Sequence, residues 1–308
     1  PGERWLTILM NRINPALFAA AFADWVRESW PEKADLVAID GKTSRRSHDR
    51  SAGAGPLHLV SAFATTARLV LAQEAVPDKG SELAAIPPLL ERLGAGGGLE
   101  GALVSIDAIA TNADIAGAIA AQGADWLLAV KANQPGLRAE VEAAFAEPEA
   151  TLDTCVTLDT CVTLDKGHGR IEERRMTVLR EVDWLAGERR FPGELRLPGA
   201  TCLLRAETRV ERAGAPRTET RYFITSRALA ATEAAAAVRG HWAIENRLHW
   251  VLDVTFTDDQ SRLRKGHGAR NMATVRHFAL NLVRAANDKR SIKSRRKLAG
   301  WSPDYLQS

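Results

Sequence analysis

The order of short apolar runs along the chain constrains its fold more than any other feature of the sequence. Residues 36–40 (LVAID), 57–63 and 68–72 predict three successive strands, the last two joined as a hairpin or meander. Three helices are predicted after these strands, at residues 81–93, 112–122 and 135–145. They alternate with two further strands, predicted at residues 102–106 and 126–130. Because helices connect the later strands, the chain is predicted to be an α/β protein.

Three antiparallel strands followed by helix-connected parallel strands predict a ribonuclease H-like core. Residues 148–220 interrupt this pattern with charged stretches, turn residues and alternating segments, which predict a mainly antiparallel β insertion. Helical patterns resume over residues 228–239, 241–250 and 269–286. We therefore expect a discontinuous core at residues 31–147 and 221–287, the end of a truncated helical region at residues 1–30, and a basic tail at residues 288–308.

A tandem hexapeptide, TLDTCV, lies inside the predicted insertion at residues 151–156 and 157–162. A repeat this short is not a solenoid unit, so we interpret it as a small duplication in a tolerant surface loop. It carries Cys155 and Cys161, and Cys202 is the third cysteine of the chain. None belongs to a CxxC pair, and three cysteines do not make a disulfide framework, so we expect a reducing cytosol.

The sequence contains no apolar run near the roughly 20 residues that span a bilayer. We expect no secretory signal, because a polar stretch follows Pro1. These observations predict a cytoplasmic protein without a membrane partner. The chain also begins without methionine, so we expect a fragment or a processed start.

Positive charge is concentrated near the C-terminus. The chain carries a formal net charge of +3, but residues 288–297 (DKRSIKSRRK) hold six basic residues and one acid. The remainder is therefore slightly acidic. Such a segment is typical of contact with a polyanion, and a solvated, disordered tail is the alternative interpretation.

Three acidic residues have the positions expected of catalytic carboxylates. Asp40 follows four apolar residues and Asp107 follows the mostly apolar run LVSI, each at the predicted end of a strand, and Glu245 lies in a helical stretch, RGHWAIENRLHW. Buried carboxylates are costly unless they are paired or bind a cation, and carboxylate oxygens suit Mg²⁺. Alternatively, each aspartate begins a turn or caps a helix.

Several long motifs occur in a fixed order around these acids. They are AIDGKTSRRS (38–47), SIDAIATNADIAGAIAAQGADWLLAVKANQPGL (105–137), GHGRIEER (167–174), RYFITS (221–226), VRGHWAIENRLHWVLDVTFTDDQSRLR (238–264), NMATVRHFALNLVR (271–284) and SIKSRRKLAGWSPDYL (291–306). On these motifs the chain resembles the DDE insertion-sequence transposases of the ISAs, or H-repeat-associated, family.

The resemblance implies that Asp40, Asp107 and Glu245 are the catalytic and metal-binding triad. It implies two Mg²⁺ ions, or Mn²⁺ in their place, which promote hydrolysis of a phosphodiester at the transposon end and attack of the freed 3′-OH on target DNA. The implied partner is double-stranded DNA, bound by a homodimer. Two alternatives stay open: a nuclease of the same fold without strand transfer, and an inactive relative that only binds DNA.

Some residues depart from the family pattern. Ser44 and Arg46 replace an expected leucine and glycine, and Ala132 replaces a glycine. The triad is unaffected, but these departures and the hexapeptide duplication leave open a decaying copy of the element. Most of the family's helical N-terminal region is expected to be missing.

Basic and aromatic residues in these motifs are candidate DNA contacts. We expect contacts from Lys42, Lys131, Arg170, Trp242, Arg262, Arg264, Arg290, Lys293, Arg295 and Arg296. Lys131 is alternatively a solvated residue at a strand end, and Trp242 and Trp250 are alternatively core residues. His241, Glu245 and His249, spaced four residues apart, could also form a zinc site, although further ligands are missing.

The last predicted helix in the core has two distinct faces. Met272, Val275, Ala279 and Leu282 form an apolar stripe that we expect to be buried. The other face, which we expect to lie toward DNA, carries Arg270, Thr274, His277, Asn281 and Arg284.

Overall fold

The computed structural model describes residues 2–49, 53–150, 158–167, 170–180, 182–188, 190–191, 194, 196–211 and 216–307. The chain divides into two compact units. Unit 1 comprises Pro1–Glu100 and Trp242–Ser308, and unit 2 comprises Gly101–His241. Cys155 and the first copy of the hexapeptide lie outside the described residues.

The described residues contain helices and strands in an order close to the prediction. The α-helices are α1 (Glu3–Arg12), α2 (Pro15–Ser29), α3 (Glu82–Gly94), α4 (Ala113–Ala120), α5 (Pro135–Ala150), α6 (Asp183–Ala186), α7 (Ala231–His241), α8 (Trp250–Val254), α9 (Gly268–Ala285), α10 (Ile292–Trp301) and α11 (Pro303–Gln307). The strands are β1 (Leu36–Ser44), β2 (Leu57–Ala64), β3 (Leu69–Val76), β4 (Leu103–Ile106), β5 (Asp125–Val130), β6 (Asp159–Gly167), β7 (Arg170–Leu179), β8 (Cys202–Glu211) and β9 (Arg217–Thr225).

Unit 1 contains an antiparallel sheet in the order β3-β2-β1. The side chain of Asn14 accepts hydrogen bonds from the Ala16 and Leu17 amides and so caps α2, whose first residue is Pro15. The hydrophobic core of unit 1 is formed by Phe22, Val26, Ala38, Phe63, Val70, Ile244, Leu248, Val251, Leu252, Phe256 and Leu280.

Unit 2 contains a six-stranded sheet in the order β4-β5-β9-β8-β7-β6. Strands β4 and β5 are parallel and the other neighbours are antiparallel, so the mixed α/β class is confirmed. Asn112 caps α4, the crossover between β4 and β5, through the Ile115 amide.

Two details of unit 2 differ from the sequence prediction. The boundary predicted at residue 220 falls inside β9, because that strand pairs with β8 from Arg217 onward and reaches β5 further along. The second hexapeptide copy was expected in a surface loop, but residues 159–162 belong to β6. Cys161 and Cys202 are free thiols.

Helix α9 is present as predicted, but the prediction of its buried face is wrong. Leu282 is 54% exposed, whereas Thr274, His277 and Asn281 are buried. The reason is that β3 is the end strand of the unit 1 sheet, and Asn281 satisfies its backbone by accepting from the Val70 amide at 3.0 Å and donating to the Val70 carbonyl at 2.9 Å. A polar face buried against a strand edge forms these bonds, which an apolar stripe would leave unmade.

Residues 288–307 fold into two short helices and do not form the disordered tail that was one interpretation of the basic segment. The Ser291 hydroxyl accepts from the Ser294 amide and caps α10, which contacts α9.

In the part of the chain that the structure describes, no single helix is long and apolar enough to cross a membrane, and only the bent pair of α1 and α2 together meets that length and composition.

Candidate active site

Asp40 is the first polar residue after the buried run Val37, Ala38 and Ile39 of β1. The prediction that it ends the strand is wrong, because residues 41–44 continue the antiparallel ladder with β2. Oδ1 accepts a hydrogen bond from the Gly41 amide at 2.8 Å. The side chain is 34% exposed, so this carboxylate is fixed by the backbone and still reachable from solvent.

The opposite side of β1 is filled by a buried hydrogen-bond chain. The Thr43 hydroxyl lies 2.7 Å from Nδ1 of His58, and Nε2 of His58 lies 2.5 Å from Glu82 Oε1. A side chain at Gly41 would overlap the ends of the Glu82 and His58 side chains. A larger residue here would have to displace this pair, which lies directly behind the backbone that bonds to Asp40.

Glu245 lies on a single π-helical turn, Ile244–His249, where the sequence predicts an uninterrupted α-helix. Ile244 and Leu248 are buried in the same cluster as Ala38 of β1. Glu245 itself is exposed. Isolated π-helical turns of this kind are frequent at functional sites.

His249 connects this π turn to Asp40, since its Nδ1 lies 3.6 Å from Asp40 Oδ2. Burial, followed by the charges of Lys42 and His58, lowers the pKa of His249 to about 4. The imidazole is therefore neutral near pH 7. Within unit 1 the structure thus brings Asp40 against the turn that carries Glu245.

Lys42, two residues after Asp40 on β1, lies among three carboxylates. Its Nζ is 2.7 Å from Asp253, 3.4 Å from Asp258 and 3.4 Å from Asp259, and its side chain is only 11% exposed. Burial opposes the charge of Lys42, but the hydrogen bond to Asp253 and the three negative charges raise its pKa overall. This ammonium, a predicted DNA contact, is already engaged inside unit 1.

Asp258 ties the same cluster to the last residue of β1 and to α9. Its oxygens accept from the Ser44 hydroxyl at 2.7 Å and from the Arg276 guanidinium of α9 at 2.6 Å. The carboxylates of Asp253, Asp258 and Asp259 lie close enough together to share a metal ion, but Lys42 supplies positive charge to all three. The arrangement anchors the end of β1 beyond Asp40.

Asp107, in unit 2, directly follows the buried strand β4. Lys131 follows β5, the parallel neighbour of β4, and its ammonium lies 2.7 Å from both carboxylate oxygens. Burial raises the pKa of Asp107, but the Lys131 hydrogen bond, the Ala108 amide and the charges of Lys131 and His241 together lower it. The carboxylate is therefore held in its ionised form.

His241, at the end of α7 in unit 2, has its Nδ1 3.0 Å from the hydroxyl of Ser105 on β4. Burial lowers its pKa, an effect that Asp107 opposes and Lys131 reinforces. His241 and His249, the two histidines of the zinc alternative, are therefore engaged with Ser105 and Asp40 respectively.

The remaining predicted DNA contacts on the motifs are at the surface. Arg170 pairs with Glu172 at 3.3 Å, and Arg264 donates to the Arg46 carbonyl. Arg262 is exposed. Trp242 and Trp250 are both exposed, so their alternative interpretation as core residues is wrong.

The basic segment separates into engaged arginines and exposed lysines. Arg295 donates to Asp288 at 2.8 Å and to the Val283 carbonyl at 2.7 Å, and Arg296 donates to the Thr255 carbonyl. Arg290 also pairs with Asp288. Lys293 is exposed. Arg284, expected on the DNA face of α9, instead donates to the Arg68 and Arg247 carbonyls.

The contacts of His249 and Lys42 in this site were not predicted from the sequence. His249 was noted only as a zinc alternative, although its spacing from Glu245 did mark it. The network around Lys42 joins residues more than 200 positions apart, as its contact with Asp258 does, and no local pattern signals it.

Comparison with known proteins identifies the family to which this chain belongs. The family described as "Transposase DDE domain" matches residues 31–282. The Escherichia coli K12 protein YbfL is 34% identical over 100% of this chain and 80% of its own length. The "H repeat-associated putative transposase YhhI" of the same organism has the same identity and coverage.

A cryo-EM structure of a piggyBac transposase synaptic complex with hairpin DNA aligns at 10% identity with a TM-score of 0.42, over 96% of this chain and 60% of that chain. A TM-score this low does not establish a shared fold. The sequence matches do establish the family: this chain belongs to the DDE-domain transposases. Its relatives include H-repeat-associated putative transposases, which confirms the resemblance drawn from the motifs.

Proposed function

We propose that this chain is a DNA transposase that hydrolyses a phosphodiester at each transposon end and then joins the freed 3′-OH to target DNA. Membership of the DDE-domain family supports this function. The observation that carries the assignment of residues is the contact of Asp40 with His249, on the π turn of Glu245. Asp107 is the third member of the proposed triad, and its assignment is based on its position in the motif at residues 105–137.

The proposed fold is a ribonuclease H-like core formed by residues 31–147 and 221–287, with residues 148–220 as an insertion. The antiparallel order β3-β2-β1 in unit 1 supports this assignment, as does the α4 crossover between the parallel strands β4 and β5 in unit 2. Both features have the chain order that such a core requires.

The proposed triad offers donors that fit the expected metal. Asp40, Asp107 and Glu245 supply only carboxylate oxygens, which Mg²⁺ and Mn²⁺ accept, and all three side chains reach solvent. An ammonium already lies against Asp107, so positive charge is tolerated there. Two bound divalent ions would stabilise the attacking and leaving oxygens of an in-line displacement.

The side chains around the triad have separate proposed tasks. Gly41 and His249 hold Asp40, while Lys131 keeps Asp107 ionised before DNA and cation bind. The Lys131 ammonium would be freed from Asp107 if these oxygens held a divalent ion, and it could then donate to a phosphate of the DNA backbone. Trp242, exposed three residues before Glu245, is the proposed stacking surface for a DNA end.

The proposed partners are double-stranded transposon ends and target DNA, bound by a homodimer. Arg170, Arg262 and Arg264 are proposed contacts to the phosphate backbone. Such contacts position DNA without reading its sequence.

The test is cleavage of labelled terminal DNA of the element with Mg²⁺, followed by strand transfer from precleaved ends. Asp40→Asn, Asp107→Asn and Glu245→Gln should each abolish both steps while DNA binding is retained. Asp24→Asn and Glu3→Gln, at surface positions on α2 and α1, are the matched controls and should retain both. Full activity of a triad variant would exclude that residue from the mechanism.

The same experiment separates the two alternatives. Cleavage without joining of precleaved ends would indicate a nuclease that lacks strand transfer. DNA binding without nicking would indicate an inactive relative.

A further inference from the structure

We propose that His249 is a positioning residue for Asp40: its Nδ1–H donates to Asp40 Oδ2 and fixes the carboxylate in the orientation that catalysis needs. The inference builds on the proposed function, because it takes Asp40 to be catalytic. It concerns one contact within unit 1, the 3.6 Å separation of Nδ1 and Oδ2.

The chemistry of the two groups determines the tautomer. A neutral imidazole has one N–H donor and one acceptor nitrogen, and an ionised carboxylate only accepts. The nitrogen that faces Asp40 must therefore carry the proton. The other nitrogen, Nε2, is buried and has no hydrogen-bond partner among the described residues, which is consistent with its being the acceptor.

The distance of 3.6 Å is longer than a formed hydrogen bond, which is typically about 2.7–3.2 Å. Catalytic hydrogen bonds are often long before substrate binds and shorten in the reacting complex.

His249 has little freedom to turn its other edge toward Asp40. Its side chain is buried, and the space beside it is a cavity of about 10 Å³ lined by His249 itself, Lys42, Ser61, Asp258, His277 and five further residues. A cavity of this size holds about one water molecule. It leaves no room for the ring to flip without moving its neighbours.

Asp40 is then held through both oxygens. Gly41 fixes Oδ1 from the backbone, and the Glu82–His58 pair lies directly behind Gly41. His249 fixes Oδ2 from the π turn. Because Glu245 lies on the same turn, the histidine also sets the distance between Asp40 and the segment that carries Glu245.

The test uses two amide substitutions that differ in where they place a donor. The amide nitrogen of asparagine can replace Nδ1, whereas glutamine places its amide near the position of Nε2. We expect His249→Asn to keep most of the DNA cleavage rate and His249→Gln to lose about 10–100-fold, the usual effect of removing a residue that orients a metal ligand. The exposed His267 provides matched controls, His267→Asn and His267→Gln, which should both be unchanged.

A measurement without DNA or metal keeps the inference independent of activity. Long-range ¹H–¹⁵N spectra of the histidine rings of the full chain should show His249 protonated on Nδ1, and Asp40→Asn should shift that resonance. Protonation on Nε2 would overturn the inference, as would equal loss of cleavage in folded His249→Asn and His249→Gln. If the wild-type chain cuts no DNA, the proposed function fails, and the ring spectra alone decide the contact.

Discussion

The two units each contain a lysine paired with carboxylates, and the two pairs differ in their exposure. In unit 1, Lys42 is 11% exposed and contacts three aspartates. In unit 2, Lys131 is 54% exposed and contacts one aspartate, Asp107, through both oxygens. Both are ammonium–carboxylate pairs, but a buried pair and an exposed pair differ in what happens when the two charges separate.

A buried charge cannot be left without its partner, whereas an exposed charge is stabilised by water when the pair separates. Lys42 is therefore a structural cation that fixes β1 beside Asp40. Lys131 is an exchangeable cation that can leave Asp107 when a metal ion or a phosphate arrives. This distinction predicts a series of effects of decreasing size.

The largest expected effect is that of Lys42→Met. It leaves the carboxylates of Asp253, Asp258 and Asp259 together without the ammonium, and breaking a buried pair in this way costs about 3 kcal/mol or more. Because these carboxylates can share a metal ion, added Ca²⁺ or Mg²⁺ should restore part of the lost stability. Urea denaturation with and without divalent cation measures both effects.

Lys131→Met is the matched control for this experiment. The same change in the exposed pair should alter the free energy of unfolding by less than about 1 kcal/mol. Equal losses in the two variants would show that exposure does not distinguish the pairs.

The second effect is acid sensitivity of the buried region of unit 1. Burial, with the charges of His249, Arg276 and Arg284, lowers the pKa of His277 to about 3, although Asp258 opposes the shift. The unfolded chain takes up this proton below about pH 6.5 and the folded chain does not. Stability is therefore full above that pH, falls on acidification, and is reduced by about 2 kcal/mol at about pH 5.

Urea denaturation at several pH values should show a shallower loss for His277→Gln than for the wild-type chain. The Asp107 pair behaves differently, because a lowered carboxylate pKa keeps its contribution until the pH falls below about 3.9, the ordinary value for aspartate. An identical pH dependence in His277→Gln and wild type would contradict the assignment of a neutral, buried His277.

The comparison also explains how far the site could be predicted from sequence. The apolar runs before Asp40 and Asp107 identified β1 and β4 and marked both aspartates as candidates. The pairing of residues 41–44 with β2 was not predictable, because polar residues after an apolar run usually indicate a turn. Which carboxylate pairs with which lysine depends on contacts between distant parts of the chain.

Helix α9 shows the same limit for the fold. Its periodicity predicted a helix, but hydrophobicity alone selected the wrong face. Asn281 and Thr274 are buried because they bond to Val70 and Gln73 of β3, so the polar face follows from a neighbour that no local pattern reveals. Sequence periodicity therefore predicts that a helix forms, but the strand against which the helix packs determines which of its faces is buried.

The third effect separates the two lysines by function. If Lys131 competes with metal for Asp107, Lys131→Met should lower the Mg²⁺ concentration needed for half-maximal DNA cleavage. The maximal rate should also fall, because a phosphate contact is lost. A cation titration of cleavage measures both quantities, and an unchanged Mg²⁺ requirement would show that Lys131 does not compete for Asp107.

The smallest effect on stability is expected in the basic segment, residues 288–297, where the same distinction between engaged and exposed cations recurs. Lys293 is exposed, whereas Arg295 and Arg296 bind carbonyls of the protein. Lys289→Gln combined with Lys293→Gln should change the free energy of unfolding by less than about 0.5 kcal/mol. The same variant should weaken binding to transposon-end and random duplexes by similar factors, because phosphate contacts carry no sequence information.

Each lost phosphate contact should flatten the log–log dependence of DNA affinity on salt by about 0.9. Fluorescence anisotropy with both duplexes over a salt series measures this slope. Arg295→Gln should instead destabilise the chain, because its guanidinium joins Asp288 to the Val283 carbonyl. A loss confined to end DNA would mean that the two lysines read sequence, and an unchanged slope would mean that they do not contact phosphates. After either result, Lys131 would be the cation to which the proposed exchange between carboxylate and phosphate still applies.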